Sequence, residues 1–367
     1  MHEDDELARR VAETTLALVD IPSESRREAG AAAWVEAAVP VDAVHLVHRA
    51  EATLFYLSER RPRAALAVLA GHLDTVPAQG NLPGRIADGW VHGLGASDMK
   101  GGVAVMVELA RTLAAAPTPL AVDLGLLFFP REELPQEESA LPVLFDACPA
   151  IREADLVVVL EPTDNELQLG CLGNLNATLV YRGESAHSAR PWTGRNAIER
   201  AVAGLARVLP VPAREVEIQG LRFVEVASPT EIAAGIATNV IPDHATCVLN
   251  FRYAPDRPPA AAEEHVRELA AAARADDVRI AGNSHPAPVV RDAPLVGRLR
   301  DAGGFSFAPK QAWTPVAEFA AAGLVAVNLG PGATRYAHKR DERVEIAELV
   351  RTYEALHRFL TDPWPDG

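Results

Sequence analysis

The stretch ALAVLAGHLD (residues 65–74) decides the fold class, because an unbroken apolar run ends directly at His72 and Asp74. A short run without polar alternation is typical of a strand that is buried on both faces of a sheet. Three more apolar runs lead into a carboxylate or a histidine, and they span residues 122–129, 156–160 and 324–329. In open α/β sheets the functional sites lie outside the carboxyl ends of the strands. Four such strand ends therefore predict a metal-binding cluster of histidines and carboxylates.

Segments with apolar residues at helical spacing lie around these runs, at residues 6–19, 103–115 and 349–360. Buried strands that alternate with such helices are typical of a sheet covered by helices. The sequence predicts an α/β domain with a mixed, largely parallel sheet. The middle of the sequence has a different pattern. Strand-like segments at 175–181 and 246–253 are each followed by a helix-like segment, at 196–209 and 260–273.

We therefore expect an inserted α+β domain at residues 174–287. It would leave residues 1–173 and 288–367 as one discontinuous catalytic domain.

Composition narrows the possible partners of this 367-residue chain. Its formal net charge is −15, which disfavours a nucleic-acid partner because such a surface repels phosphates. The three cysteines form no CxxC pair, so neither a disulfide framework nor a thiolate zinc site is indicated. No apolar run reaches the roughly 18 residues of a membrane span, and the acidic first residues do not resemble a signal peptide. We expect a cytoplasmic protein without a membrane partner.

The candidate ligands each have a simpler alternative. His72 could hold a metal while Asp74 accepts the second imidazole N–H, but Asp74 could equally cap a turn. Asp98 lies in the Gly-rich loop GASDMKGG (95–102), where it could bridge two cations or belong to a helix N-terminus. Glu132 and Glu133 could divide metal binding and proton transfer between them, or they could form an exposed acidic loop.

Glu161 directly follows a strongly apolar strand, and a charge in that position needs a partner. His338 could be a ligand or an ordinary loop residue. The spacing of His187 assigns it no role.

Several motifs occur together in one order along the chain: GHLDTVP (71–77), GASDMKGG (95–102), EE (132–133), EPT (161–163), GESAHSARP (183–191), NVIPD (239–243) and AHKRDE (337–342). As a set they resemble the M20 family of dinuclear zinc peptidases and amidohydrolases. LVDIPSES (18–25) is similar to the end of that family's N-terminal helix. Further segments, such as FRYAPDR (251–257), resemble the actinobacterial type of succinyl-diaminopimelate desuccinylase.

The resemblance implies a zinc-exopeptidase-like fold and two Zn²⁺ ions, for which Co²⁺ or Mn²⁺ could substitute. One zinc would be held by His72 and Glu161, and the other by Glu133 and His338. Asp98 would bridge the two ions and be followed by a cis peptide bond.

In the same comparison Asp74 would orient His72, and Glu132 would be the general base. His187 would stabilise the oxyanion from the partner subunit of a homodimer that is joined through the inserted domain.

The resemblance further implies that Thr238, Asn239 and Arg252 bind a substrate carboxylate, with backbone donors from Gly330-Pro331-Gly332. A surface salt bridge is the alternative for Arg252. The expected reaction is hydrolysis of N-succinyl-L,L-2,6-diaminopimelate. This chain has Pro315 and Glu318 where relatives of the desuccinylase often have aspartate and arginine. An acetylornithine deacetylase and a dipeptidase of the same family are therefore alternatives. A non-catalytic relative that binds a small metabolite is an alternative of another class.

Overall fold

A computed structural model describes residues 3–116 and 118–363, and the chain divides into two compact units. The first unit comprises Met1–Leu169, Val290–Ala308 and Glu318–Gly367, and the second comprises Gly170–Val289 and Pro309–Ala317. The sequence placed this last segment in the catalytic domain. It belongs to the second unit because the Leu172 N–H donates to the Lys310 carbonyl and the Trp313 indole donates to the His285 carbonyl.

The α-helices are α1 (Glu3–Val19), α2 (Ala29–Ala38), α3 (Gly101–Ala115), α4 (Leu141–Ala147), α5 (Ala197–Leu205), α6 (Pro259–Ala272), α7 (Pro294–Gly303), α8 (Val316–Ala321) and α9 (Ile346–Thr361). The strands are β1 (His45–Ala50), β2 (Thr53–Leu57), β3 (Leu66–His72), β4 (Arg85–Ala87), β5 (Trp90–His92), β6 (Asp123–Phe129), β7 (Leu156–Val159), β8 (Leu167–Leu169), β9 (Gly173–Arg182), β10 (Ala186–His187), β11 (Arg214–Ile218), β12 (Leu221–Ala234), β13 (Val240–Ile241), β14 (His244–Tyr253), β15 (Asp277–Ser284), β16 (Phe307–Pro309), β17 (Ala326–Asn328) and β18 (Arg343–Glu345).

The first unit is built on an eight-stranded sheet with the order β1-β2-β6-β3-β7-β17-β8-β16. Its four central strands, β6, β3, β7 and β17, are parallel, and they are the four apolar runs of the sequence. Every residue of these four strands is buried, as expected for a sheet covered on both faces. Helix α3 packs against β3, and α1 and α9 pack against α3. This confirms the predicted mixed, largely parallel α/β sheet.

The second unit contains a five-stranded antiparallel sheet with the order β11-β12-β14-β9-β15. Helices α5 and α6 contribute Ala201 and Val266 to a core that includes Leu179, Phe251 and other alternate residues of β9 and β14. The period-two burial of these strands follows from the alternation of their sequence.

Helix α5 is shorter than the predicted 196–209. Asn196 caps it by accepting the Ile198 N–H at 2.9 Å, and the helix ends at Leu205. Pro210 follows closely, and a proline disfavours helical backbone in the residue before it. Within the described part of the chain, no helix combines the length and the apolar character needed to cross a membrane.

Candidate metal centre

The carboxyl ends of the central strands bring together six side chains from distant parts of the sequence. His72 ends β3, Glu132 and Glu133 follow β6, and Glu161 follows β7. Asp98 and His338 reach the same place from the loops before α3 and after β17. Parallel strands with in-register ends explain this, because His72 pairs with Phe129 across β3 and β6 and Ala70 pairs with Val159 across β3 and β7.

Asp98 lies between the two histidines. Its Oδ1 is 3.1 Å from His72 Nε2, and its Oδ2 is 3.4 Å from His338 Nε2. His338 Nε2 is also 2.8 Å from Glu133 Oε1. Each histidine therefore faces a different oxygen of one carboxylate, which is the geometry that a bridging ligand of two cations requires.

Two overlapping groups of side chains could each hold a cation. One group is His72, Glu132 and Glu161, and the other is His72, Asp98 and Glu133. Within each group the potential ligand atoms lie within 4.8 Å of one another. Imidazole nitrogen and carboxylate oxygen are ligands that suit zinc and neighbouring divalent metals.

Asp74 is a buried hydrogen-bond acceptor for three other groups. Its Oδ1 accepts the Glu132 N–H at 3.0 Å, and its Oδ2 accepts the Glu133 N–H at 3.0 Å and the Ser25 hydroxyl at 2.8 Å. His72 Nδ1 is 3.1 Å from the Asp74 carbonyl oxygen and 3.5 Å from its carboxylate. Asp74 thus fixes the orientation of His72 chiefly through its backbone, while its carboxylate fixes the pair of glutamates.

Glu132 and Glu133 lie in a turn that follows β6. Arg131 has a left-handed φ of 63°, and the chain turns at that point. The two backbone N–H groups that follow consequently converge on one carboxylate, instead of pointing to opposite sides as they would in a strand.

The loop that carries Asp98 is closely packed. Gly95 has a φ of 76°, and a Cβ at that position would lie 2.8 Å from Thr75 Cγ2, so only glycine fits there without strain. The Ser97 hydroxyl donates to the Ala333 carbonyl at 3.1 Å. The Asp98–Met99 peptide bond is cis, as the family resemblance predicts.

Burial and neighbouring charges shift the pKa values of Asp98 and Glu132 in opposite directions. Burial opposes ionisation of Asp98, but contacts with His338 and His72 hold its pKa below the usual range. Burial is the main cause that raises the pKa of Glu132 well above its ordinary value, and repulsion from Glu161 adds to it. A glutamate with a raised pKa is suited to accept and return a proton.

Sequence reasoning gave no role to two residues of the centre. One is Ser25, which donates to Asp74 from the segment LVDIPSES. The other is Glu342, which is 2% exposed and accepts the backbone N–H groups of Ser97 and Asp98. Burial raises the pKa of Glu342 to about 7. Both residues stand in quoted motifs, but only the tertiary structure reveals their partners.

The remaining candidates from the inserted region lie in the second unit. Strand β10 carries His187 and pairs with β13, and the Ser188 N–H donates to the Asn239 carbonyl, so His187, Thr238 and Asn239 are neighbours. Arg252 lies on β14, where its Nε donates to Asn250 Oδ1 at 3.0 Å. Among the residues that the structure describes, no carboxylate forms an ion pair with Arg252. The surface salt bridge considered for it is therefore not found there.

Gly330 lies in the first unit, but the backbone donors expected there are already in use. The Gly330 N–H donates to Thr163 Oγ1 at 3.2 Å, and the Gly332 N–H donates to Glu348 Oε2 at 2.9 Å. A Cβ at Gly330 would lie 2.3 Å from the Leu160 carbonyl oxygen. This glycine therefore permits close packing of the loop on β7, and its N–H is not available to a substrate in this structure.

Comparisons with known proteins identify the family of the chain. Residues 68–362 match the model of peptidase family M20/M25/M40. A Mycobacterium tuberculosis protein, provisionally named succinyl-diaminopimelate desuccinylase DapE, is 41% identical over 95% of this chain and 97% of its own. The succinyl-diaminopimelate desuccinylase of Corynebacterium glutamicum is 35% identical over 95% of both chains.

Among solved structures, the aminopeptidase PepT of Bacillus cereus has a TM-score of 0.78 at 20% identity. The alignment covers 96% of this chain and 98% of PepT, which shows a shared fold. The family match, the relatives and the cluster of His72, Asp98 and Glu133 lead to one conclusion. The chain belongs to peptidase family M20/M25/M40 and is a metal-dependent hydrolase that acts on amide bonds.

Proposed function

We propose that the chain hydrolyses the amide bond of N-succinyl-L,L-2,6-diaminopimelate and releases succinate and L,L-diaminopimelate. The choice of substrate is supported by the two actinobacterial relatives that carry this enzyme's name. The amide hydrolysis is supported by one structural observation, the position of the Asp98 carboxylate between His72 and His338. A carboxylate shared by two imidazoles is what a two-cation hydrolytic centre needs.

The donor set fits two divalent cations, which we propose to be zinc. Asp74, Asp98 and Glu133 form no ion pair with a lysine or arginine among the described residues. Negative charge that is buried without compensation is costly, so cations would stabilise this cluster. We assign His72 and Glu161 to one cation, Glu133 and His338 to the other, and Asp98 to both. Cobalt or manganese ions could replace zinc at such nitrogen and oxygen ligands.

When bound, the metal ions supply a water with a pKa lowered from about 15.7 toward about 7 and polarise the scissile carbonyl. Glu132 takes a proton from the attacking water and returns it to the leaving amine. Asp74 holds the Glu132 backbone in place through its Oδ1. Asp74 thus positions Glu132, the base, through its carboxylate and His72, a ligand, chiefly through its backbone carbonyl.

His187 is the proposed donor to the developing oxyanion, and it would come from the partner subunit of a homodimer. Its Nδ1 accepts the Ala189 N–H at 3.0 Å, so the proton of the neutral imidazole lies on Nε2. That leaves Nε2 as a hydrogen-bond donor for a negative oxygen. Thr238, Asn239 and Arg252 of the same unit would bind the substrate carboxylate, for which the guanidinium offers a bidentate partner.

The exposed apolar residues of the second unit support a homodimer formed through it. The first residues of β12, Leu221–Glu225, pair with β11. The later residues, from Val226 on, pair with β14, and no other strand in the described part of the chain pairs with them. Ile232 and Ile236 lie in or beside this later part and are 60% and 86% exposed. An open strand edge with exposed isoleucines is a surface that a second copy could cover.

Analytical ultracentrifugation tests the dimer. Ile232→Lys should convert it to a monomer. The control Val41→Lys, at a first-unit residue that is 76% exposed, should leave the dimer intact. A monomeric wild-type chain would contradict the proposal.

Another amidohydrolase of the same family is the second candidate, and Pro315 and Glu318 favour it. A carboxyl group at position 318, where an arginine is frequent in the desuccinylase pattern, could alter preference for the acyl group or the amine. The test is kcat/KM on N-succinyl-diaminopimelate, N-acetylornithine and a dipeptide, for the zinc-loaded wild type and for Glu318→Arg. The desuccinylase proposal predicts that the succinylated substrate is best for the wild type. A clear preference for N-acetylornithine or for the dipeptide would overturn it.

A further inference from the structure

The Glu342 side chain lies beneath the loop that carries Asp98. It is only 2% exposed, and its Oε1 accepts the Ser97 N–H at 3.2 Å and the Asp98 N–H at 3.0 Å. Both hydrogen bonds end on one oxygen atom. The loop before α3 is irregular at Asp98 and Met99, so these two amides donate to Glu342 instead of to a helical carbonyl.

Glu342 also belongs to the segment that carries His338. Its own N–H donates to the Lys339 carbonyl at 3.2 Å, and its carbonyl accepts the Gly93 N–H at 3.0 Å. The His338 and Lys339 carbonyls accept hydrogen bonds from the side chains of Gln79 and Asn81. The Glu342 backbone is therefore fixed, and its side chain joins the His338 segment to the Asp98 loop.

The chemistry of this contact goes beyond packing. Burying a carboxyl group is unfavourable, and an apolar side chain of similar length would fill the same space at lower cost. What only an oxygen-bearing side chain provides is an acceptor for the two amides. Because those amides belong to Asp98 and to the residue directly before it, this acceptor constrains where the Asp98 carboxylate lies relative to His338, whose Nε2 is 3.4 Å from Asp98 Oδ2.

We propose that Glu342 is a positioning residue for the metal centre. By accepting the Ser97 and Asp98 N–H groups, it sets the separation of Asp98 and His338 and so the affinity of the cation that these two residues share with Glu133. The inference rests on the proposed two-cation centre. Glu342 itself is not assigned as a ligand.

The test is a zinc titration of metal-free full-length protein against a chromophoric chelator, which reports stoichiometry and both dissociation constants. Glu342→Met keeps the length of the side chain and removes the acceptor. We expect its second zinc to bind about 10–100-fold more weakly, the usual effect of losing a group that orients a ligand. Glu342→Gln retains one carbonyl oxygen, which can accept both amides, and should stay within about threefold of the wild type by the same reasoning.

Glu108→Met is the matched control. Glu108 lies in the first unit and is also 2% exposed. It accepts hydrogen bonds from Thr14 Oγ1 and Arg111 Nη1, each at 2.7 Å, and no hydrogen bond or ion pair in the described part of the chain joins it to a proposed ligand. This variant should lower the melting temperature and leave both zinc dissociation constants unchanged. It separates a general loss of stability from an effect on the centre.

Glu342→Asp keeps the carboxyl group and shortens its reach. If the methionine variant does not fold, the aspartate variant still decides, because its second zinc should also bind more weakly. A wild type that binds two zinc ions, together with folded Glu342 variants of unchanged affinity, would overturn this inference alone. A wild type that binds no zinc would overturn the metal centre and this inference with it.

Discussion

The Ser25 hydroxyl donates a 2.8 Å hydrogen bond to Asp74 Oδ2, across 49 residues of sequence. The bond is part of a short junction in which the Ser25 N–H donates to the Thr75 carbonyl and the Thr75 N–H donates to the Ser23 carbonyl. The segment that follows α1 is thereby fixed beside the residues that directly follow His72 and β3. Asp74 in turn holds the backbones of Glu132 and Glu133, so Ser25 supports the base from a distance.

Ser25→Ala should reduce kcat by about 2–10-fold with little change in KM. One net hydrogen bond contributes about 0.5–1.5 kcal/mol, and Asp74 keeps its two backbone donors. Steady-state kinetics at saturating zinc measure the effect. Ser25→Thr retains the hydroxyl and should recover most of the activity; equal losses in both variants would argue against the hydrogen bond as the cause.

Glu132→Gln should lower kcat by about 10²–10⁴-fold, since an amide cannot accept and return the proton. The zinc content should remain at two per chain, because Glu132 is not among the assigned ligands. Single-substrate kinetics combined with elemental analysis of the same sample check both statements. Unchanged turnover would remove Glu132 from its role as base.

Metal removal should destabilise the first unit. Potential ligand atoms of Asp98 and Glu133 lie within 4.8 Å of each other and of His72. A cation that binds only the folded chain adds about 4 kcal/mol when its concentration is about 1,000 times Kd. Calorimetry should show a lower melting temperature after chelation and full recovery with zinc. In Asp98→Asn, which weakens the bridge, the difference between the two states should shrink; a melting temperature indifferent to chelation in the wild type would contradict the assigned centre.

The free energy of unfolding should decrease as the pH rises, because of Glu318. This residue of α8 is 6% exposed, and burial raises the pKa of its carboxyl group from 4.5 to about 7, although Ser139 opposes the shift. Between these values the folded chain binds more protons than the unfolded chain. The contribution is therefore fully present below pH 4.5 and is lost as the pH rises through about 7.

The corresponding loss is about 3 kcal/mol. Glu318→Gln should remove this dependence, so its advantage in the free energy of unfolding over the wild type should grow from about pH 4.5 to about pH 8. Urea unfolding at several pH values provides the measurement. Glu153→Gln, at a side chain that is 65% exposed, is the control for the same replacement outside a buried site. Parallel curves for the wild type and Glu318→Gln would refute the prediction.

Local sequence information was enough to predict the central strands of the sheet and to name candidate metal ligands. Each central strand was recognisable because burial on both faces demands an unbroken apolar run, and β3 begins and ends within two residues of its predicted bounds. The family motifs then named His72, Asp98, Glu133, Glu161 and His338 before any distance was known. The roles of these residues at bound metal stay predictions, as do the homodimer and the substrate.

Only the tertiary structure reveals the contacts between segments that lie far apart in the chain. The Glu342 carboxylate meets the Ser97 N–H across 245 residues, and the segment Pro309–Ala317 joins the second unit despite its position in the sequence. No local pattern encodes such contacts. Hydrophobic periodicity reports only whether a residue is buried, whereas the partner of a buried polar group depends on how the strands and loops are arranged around it.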